Sequence, residues 1–407
     1  ATRAGLHALG GSRLRGGVDA AGGRARRLLV AGQFALATAI AVFALAMLQQ
    51  YRALDARAPG FDPQGVLAAR LSLPALQDEA AMQGALATLG SLVQRAQGLP
   101  GVRAAAIASE LPMGEVNTSL EVAADWPSLN TDGQSVQAAW RLVGSDYFDA
   151  LHIPLLRGRT FAADGESSDA IVVSAALAQR LWGAADPIGR TLVAGNGREL
   201  RVVGVAGDVR HLGRTQDAPY TMYLPTTWLW PTMVVLLRAD GDLGALAPAL
   251  RALAEEVAPA QPLFDLAPLA TSYTTDLAAP RGRAWLFGAF ALASLLLSAI
   301  GIAGVMSQWV AQRQRELAMR RALGAGAHRL AGLVLRDALP MAMGGVVAGL
   351  AGAALAAGLF DAAELVPAGA GLHALAAAGL LAVGLAACVL PMRRATRADP
   401  AAVLREA

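Results

Sequence analysis

The sequence predicts a membrane α-helical protein with four transmembrane helices and an extracytoplasmic α+β domain inserted between helices 1 and 2. Three observations predict it. The 407-residue chain is 55% hydrophobic and only 16% charged, too apolar a balance for an ordinary soluble protein. It contains four uncharged apolar runs, each long enough to cross a hydrocarbon core of roughly 30 Å. Its charge is also segregated. Between residues 52 and 280 stand 16 Arg and 24 Asp or Glu, a net of −8. The remainder holds 18 Arg and 7 acids, a net of +11. The basic pI of about 9.5 is therefore a signal of membrane topology and predicts no nucleic-acid partner.

Residues 1–27 carry six Arg and one Asp with little apolar periodicity. They read as a cytoplasmic arm or linker. The first residue is not Met, so the chain reads as processed or as the second part of a longer protein. The first span, 28–50, begins with 21 uncharged residues behind Arg24, Arg26 and Arg27, which keep the N-terminus in the cytoplasm. The competing reading is a signal peptide cut near Ala44-Leu45-Ala46, but the apolar run is long for that.

Residues 51–283 form the extracytoplasmic domain, large enough for its own core. Apolar alternation or short apolar runs over 65–73, 102–108, 136–143, 169–174, 200–205 and 233–238 predict strands. Helical spacing over 78–99, 175–182 and 243–257 predicts helices. Such interleaving excludes a β-sandwich. The turn-rich stretch 144–225 reads as an inserted subdomain. Gly195-Asn196-Gly197 within it is a hairpin turn signal.

The second span, 284–311, lies in a stretch with no charge between Ala284 and Gln312. Trp285 and Trp309 flank it, where amphipathic rings favour the membrane–water interface. As a helix this stretch is roughly 43 Å long and outruns the hydrocarbon. The excess leads into a cytoplasmic segment, 312–337, bearing Arg313, Arg315, Glu316, Arg320 and Arg321. Gly324 and Gly326 then permit a break. The third span, 338–360, carries Gly344, Gly345, Ala348, Gly349 and Gly352. This stripe is either a helix-packing face or the plain composition of an Ala/Gly-rich chain. An outer loop (361–373) with Asp361 and Glu364, a fourth span (374–392) and a cytoplasmic tail (393–407) complete the chain. The arm, the segment 312–337 and the tail carry +5, +4 and +2, against −2 for the outer loop. Both termini are therefore expected inside and the large domain outside.

Much chemistry is excluded. A phosphate-binding loop of the Walker type needs Lys, and all 34 basic residues are Arg. The spans hold no ionisable residue of the kind an ion-driven pump uses at the midplane. His7, His152, His211 and His328 stand in no metal-ligand spacing, and no G-x-S-x-G elbow occurs. Asp208-Val209-Arg210-His211 follows a strand and reads as a polar, exposed loop end, or less readily as an acid–base pair. Trp228-Leu229-Trp230 is either an exposed binding lip or part of the domain core.

Residues 312–325, Gln312-Arg313-Gln314-Arg315-Glu316-Leu317-Ala318-Met319-Arg320-Arg321-Ala322-Leu323-Gly324-Ala325, resemble the QRxxEIGIRxALGA signature of the FtsX/MacB-like ABC transporter permeases. Pro59-Gly60-Phe61-Asp62, Asp186-Pro187-Ile188-Gly189-Arg190 and Val202-Val203-Gly204-Val205-Ala206-Gly207-Asp208-Val209 are similar to that family's extracytoplasmic domain. Arg393-Arg394-Ala395 with Asp399-Pro400 is similar to its tail. Ala8-Leu9-Gly10-Gly11-Ser12-Arg13 resembles the central linker of duplicated permeases, which implies the C-terminal half of a longer permease.

The resemblance implies a mechanotransmission device in a bacterial inner membrane. Two permease copies or halves pair, and each binds a cytoplasmic ATPase subunit through the helix between spans two and three. ATP is handled by that partner, and this chain binds no cofactor or metal and is not an enzyme. By position, Arg313, Arg315, Glu316, Arg320, Arg321 and Leu323 are the expected ATPase contacts. Met319 and Arg321 depart from the family pattern. The competing role for these Arg residues is to enforce topology and bind membrane lipid phosphates. The alternative function is a non-transporting membrane sensor relaying an extracytoplasmic signal to a cytoplasmic partner.

Overall fold

The structure is a computed structural model and describes residues 5–73, 78–114, 118–124, 135–162, 167–227, 229–323, 326–359 and 370–397. Trp228, Gly324, Asp361 and Glu364 lie outside them. The chain divides into two compact units, Ala1–Ala53 with Ala279–Ala407, and Leu54–Ala278.

Helix α1 runs unbroken over Gly5–Asp55. The arm expected as a linker is thus helical from Gly5 onward. Seven Gly between Gly5 and Arg27 disfavour a helix there, so intrinsic propensity is not what carries it. Extending a helix that the apolar run has already nucleated adds one hydrogen bond per residue fixed.

The second unit follows. Its elements are β1 (Val66–Ser72), α2 (Glu79–Gln97), β2 (Val102–Ala108), β3 (Ser119–Ala124), β4 (Val136–Val143), α3 (Tyr147–Ala150), β5 (Leu155–Gly158), β6 (Ala170–Ser174) and α4 (Ala175–Trp182). Then come β7 (Thr191–Ala194), β8 (Glu199–Ala206), β9 (Thr221–Pro225), β10 (Thr232–Ala239), α5 (Leu243–Val257), β11 (Leu263–Pro268) and α6 (Leu269–Thr275). The helices start where side chains cap their free N–H groups. Asp78 accepts from Ala81 N at 2.7 Å, Ser174 from Leu177 N at 3.3 Å and Asp242 from Gly244 N at 2.8 Å.

The eleven strands of the described residues all join one sheet. Four of them, in the order β11-β1-β10-β2, form an open half. On one face Leu67, Leu71, Val235 and Leu237 pack on Leu89 and Leu92 of α2 and Leu250 of α5. On the other, Val66, Ala68, Val234 and Leu236 pack with Phe61, Tyr147 and Phe148. Burial on both faces explains why β10 reads as a continuous apolar run.

The other half closes on itself. β4 pairs with β3, β3 with β7, β7 with β8, β8 with β6, β6 with β9, and β9 returns to β4 in parallel. Leu142, Ile171, Val173, Val202 and Met222 line one face of this circuit with Leu177 and Trp182 of α4. The stretch 144–225, expected as an inserted subdomain, supplies β5 to β9. It is stitched into the common sheet through the β3–β7 and β4–β9 pairings. The Gly195–Gly197 turn closes the β7–β8 hairpin, with Gly197 at φ +80° and Asn196 Oδ1 accepting from Arg198 N at 3.1 Å.

The remaining helices are α7 (Ala278–Gln312), α8 (Gln314–Ala322), α9 (Ala327–Leu359) and α10 (Ala370–Arg397). Phe34 of α1, Ile302 and Met306 of α7, Leu317 of α8, Val346 of α9 and Leu380 of α10 share a core. Among the described residues, three helical stretches are long and apolar enough to cross a membrane, Leu28–Asp55, Leu269–Gln312 and Ala338–Ala356. The apolar part of α10, His373–Val389, is shorter.

Candidate functional site

Helix α7 ends at Gln312 and α8 starts at Gln314, so Arg313 is the corner between them. The helical bonding is not lost there. Arg313 N–H donates to Trp309 O at 3.2 Å and Leu317 N–H donates to Arg313 O at 3.0 Å. The Arg313 guanidinium lies 4.9 Å from the centre of the Trp309 ring, a cation–π contact. Leu317 is buried in the helical core while Met319 and Leu323 are exposed, Leu323 at 87%. Glu316 and Arg320 pair across one turn. Arg315 and Arg321 lie on the same short helix. One leucine thus roots α8 in the bundle, and the helix displays cationic and apolar side chains around it. Leu317 carried no sequence signal separating it from Leu323.

The glycine stripe on α9 divides. A Cβ on Gly345 would stand 2.4 Å from Phe34 Cβ and 2.7 Å from Ala31 O. One on Gly349 would stand 2.4 Å from Ala35 O and 2.5 Å from Thr38 Cβ. Both glycines let α9 approach α1 closely. Gly344 and Gly352 have nothing within 4 Å of a Cβ. The packing face seen here is therefore Gly345 and Gly349; Gly352 shares their side of the helix by spacing, yet a Cβ there meets nothing, so the close approach to α1 does not extend that far.

In the second unit, two sequence motifs meet. Gly60 adopts φ +85°, and a Cβ on it would stand 1.9 Å from Asp208 O. Arg210 N–H donates to Pro59 O at 2.9 Å. Phe61 is buried, and Arg238 holds Asp62 through its carboxylate at 3.2 Å and its carbonyl at 2.8 Å. Burial raises the Asp62 pKa, but the Gln64 N–H and Arg238 outweigh it and the net shift is downward.

The Asp208–His211 stretch is the exposed loop end expected only at Asp208; Val209 and His211 are buried. Asp208 accepts from Ala176 N at 2.8 Å at the start of α4. His211 is buried and lies 3.0 Å from Tyr223 Oη. Burial, with the nearby Arg141 charge, holds its imidazole well below the usual histidine pKa. The charged neighbours in sequence concealed an apolar destination beside Phe148 and Tyr223. With separate partners, the two side chains form no acid–base pair. Leu229 is buried, and Trp230 meets Trp140 edge-on at 5.5 Å, so that described part of the aromatic stretch packs inward. Arg141, itself buried, is paired with Glu110 at 3.2 Å.

The profile of the MacB-like periplasmic core domain matches residues 64–253. That of the FtsX-like permease C-terminal region matches residues 288–400. The chain is similar to the macrolide export ATP-binding/permease protein MacB of Agrobacterium fabrum, 28% identical over 286 residues, 65% of this chain and 43% of that protein. It is similar to the pyoverdine export ATP-binding/permease protein PvdT of Pseudomonas savastanoi pv. phaseolicola, 28% identical over 271 residues, 62% of this chain and 40% of that protein. The matches thus span about two-fifths of the length of these relatives. Among solved structures, the periplasmic region of MacB from Actinobacillus actinomycetemcomitans aligns at 15% identity and a TM-score of 0.37. It covers 55% of this chain and 97% of that one.

Proposed function

The chain belongs to the FtsX/MacB-like ABC transporter permeases, and from that premise we propose that it is the permease subunit of an ABC-type export system. In this reading ATP hydrolysis takes place on a separate cytoplasmic ATPase subunit or domain. Closure of that partner displaces α8, and the long helices carry the displacement to the α+β domain. Four spans cross a bacterial inner membrane, α10 supplying the shortest, with both termini inside and residues 51–283 outside. Two copies or halves pair.

The observation that carries the proposal is the corner at Arg313. The helical bonds from Arg313 to Trp309 and from Leu317 to Arg313, with the single residue between the helices and the buried Leu317, support a push on α8 reaching α7 without a slack loop between them. Arg313, Arg315, Glu316, Arg320, Arg321 and Leu323 are the proposed contacts with the ATPase. No cofactor is assigned to this chain.

Co-purification tests it. The wild-type chain is expected to retain an ATP-hydrolysing subunit whose turnover changes in its presence. A purified chain that binds no such subunit, or hydrolyses nucleotide alone, would overturn the proposal and favour the sensor reading or an enzyme.

A further inference from the structure

The second unit is joined to the apolar helices by two stretches, 54–62 from the end of α1 and 269–277 before α7. The loop 207–217 between β8 and β9 grips both. Its centre is Arg214, whose side chain is almost wholly buried. Nη1 donates to Asp55 Oδ1 at 3.4 Å on the first stretch. It also donates to Tyr273 Oη at 3.0 Å, and Nη2 to Tyr273 O at 2.9 Å, on the second. The guanidinium carbon lies 3.8 Å from the centre of the Tyr273 ring. Asp276 accepts from Arg214 N at 3.0 Å and faces Nε at 3.7 Å.

The surroundings fit this arrangement. Gly213 stands at φ +90°, and a Cβ there would lie 2.5 Å from Asp276 Oδ1, so the backbone reaches that carboxylate only with glycine. Arg57 closes the loop from the first stretch by donating to Arg214 O at 3.1 Å. A buried guanidinium is costly unless its donors are met. Here Nη1 and Nη2 find acceptors in two segments more than 200 residues apart in sequence, while Nε faces Asp276 at ion-pair distance. Arg suits the place because its planar fork reaches several acceptors while its face stacks on a ring.

We propose that Arg214 is the joint of the transmission. As a positioning residue it locks the two membrane-linked stretches to each other and to the closed circuit of strands, so that displacement of one is felt by the other. The proposal rests on the permease reading above for its purpose, and on the geometry of Asp55, Arg214, Tyr273 and Asp276 for its substance.

The test uses hydrogen exchange on the full chain in lipid nanodiscs. Asp55→Asn changes only the first stretch, at a residue more than half exposed, and is expected to fold. If Arg214 couples the stretches, amides in 269–277 exchange at least threefold faster in that variant, while those of β6 do not change. Arg214→Met is expected to speed both stretches by about tenfold, as local opening becomes easier. Exchange in 269–277 within experimental error of wild type in Asp55→Asn would overturn the proposal, even if Arg214→Met failed to fold. Failure to find any ATPase partner would instead sink the permease reading and leave this result standing.

Discussion

Replacing the two contact glycines of α9 by alanine isolates the close approach of two apolar helices. In Gly349→Ala the new methyl would lie 2.4 Å from Ala35 O and 2.5 Å from Thr38 Cβ; in Gly345→Ala it would lie 2.4 Å from Phe34 Cβ. Ordinary contacts are about 3.5–4.0 Å, and the opposing atoms are backbone or Cβ, which no rotamer change can move. The helices must therefore separate by about 1 Å. Overpacking of this kind costs about 1–3 kcal/mol, partly offset by up to about 1 kcal/mol from the better helix propensity of Ala. Gly352→Ala meets nothing within 4 Å and keeps only the favourable part. The expected order of stability is thus Gly352→Ala at or above wild type, with Gly345→Ala and Gly349→Ala about 1–2 kcal/mol below. The single cysteine, Cys388, is buried in the same helical core. Its reaction with a fluorogenic thiol dye during heating in mild detergent reports unfolding of that unit alone. A downward shift of several degrees is expected for the two contact variants. Gly349→Ala melting at or above wild type, or Gly352→Ala falling as far as the others, would refute the reasoning.

Reversing charge at Arg320 and Arg321 to Glu should cut the permease-dependent change in ATPase turnover at least tenfold while leaving the Cys388 melting curve in place; unchanged coupling would remove α8 from the docking surface. His211 supplies a pH dependence. Its folded pKa lies below the unfolded value of about 6.5, so the unfolded state binds the extra proton and stability is lost as pH falls below that value. The loss grows as pH falls through the unfolded value, and His211→Gln should flatten the slope in denaturant titrations followed by Trp fluorescence. Parallel wild-type and His211→Gln slopes between pH 7.5 and 5.5 would show the burial argument to be wrong. Gly60→Ala combines a positive φ with a methyl 1.9 Å from Asp208 O, and should destabilise the second unit by about 2–4 kcal/mol. Gly197→Ala, equally left-handed but with open space around it, should cost about 1 kcal/mol in the same assay.

Strands with enough length to show alternation were legible. The expected bounds of β2, β4, α4 and α5 coincide with those in the structure. The strands that went unread, β3, β5, β7, β9 and β11, are four to six residues long. Their pairings join distant residues, such as Val122 with Ala194 and Leu142 with Leu224. Local pattern has no access to such partners, so these strands could not be read from the turn-rich stretch. The basic character of α8 was plain in sequence. Which leucine faces inward depends on how α8 leaves the corner at Arg313, and local pattern does not fix that. Arg214 was invisible for a related reason. Its acceptors come from opposite ends of the second unit, and nothing beside it in sequence announces a buried cation.

Circular pairing of six strands has a bearing on the life of the chain before assembly. Unpaired strand backbones recruit other chains, and among the described strands the clear outer margins are β5 and β11. β11 is a poor template. Its register with β1 slips between Ala68 and Arg70, Asp265 in its centre has φ +49°, and that aspartate faces Arg70 at 3.8 Å. The β11 margin therefore offers little to the strands of neighbouring copies, which leaves β5, with Leu155 and Leu156 exposed, as the margin open to pairing.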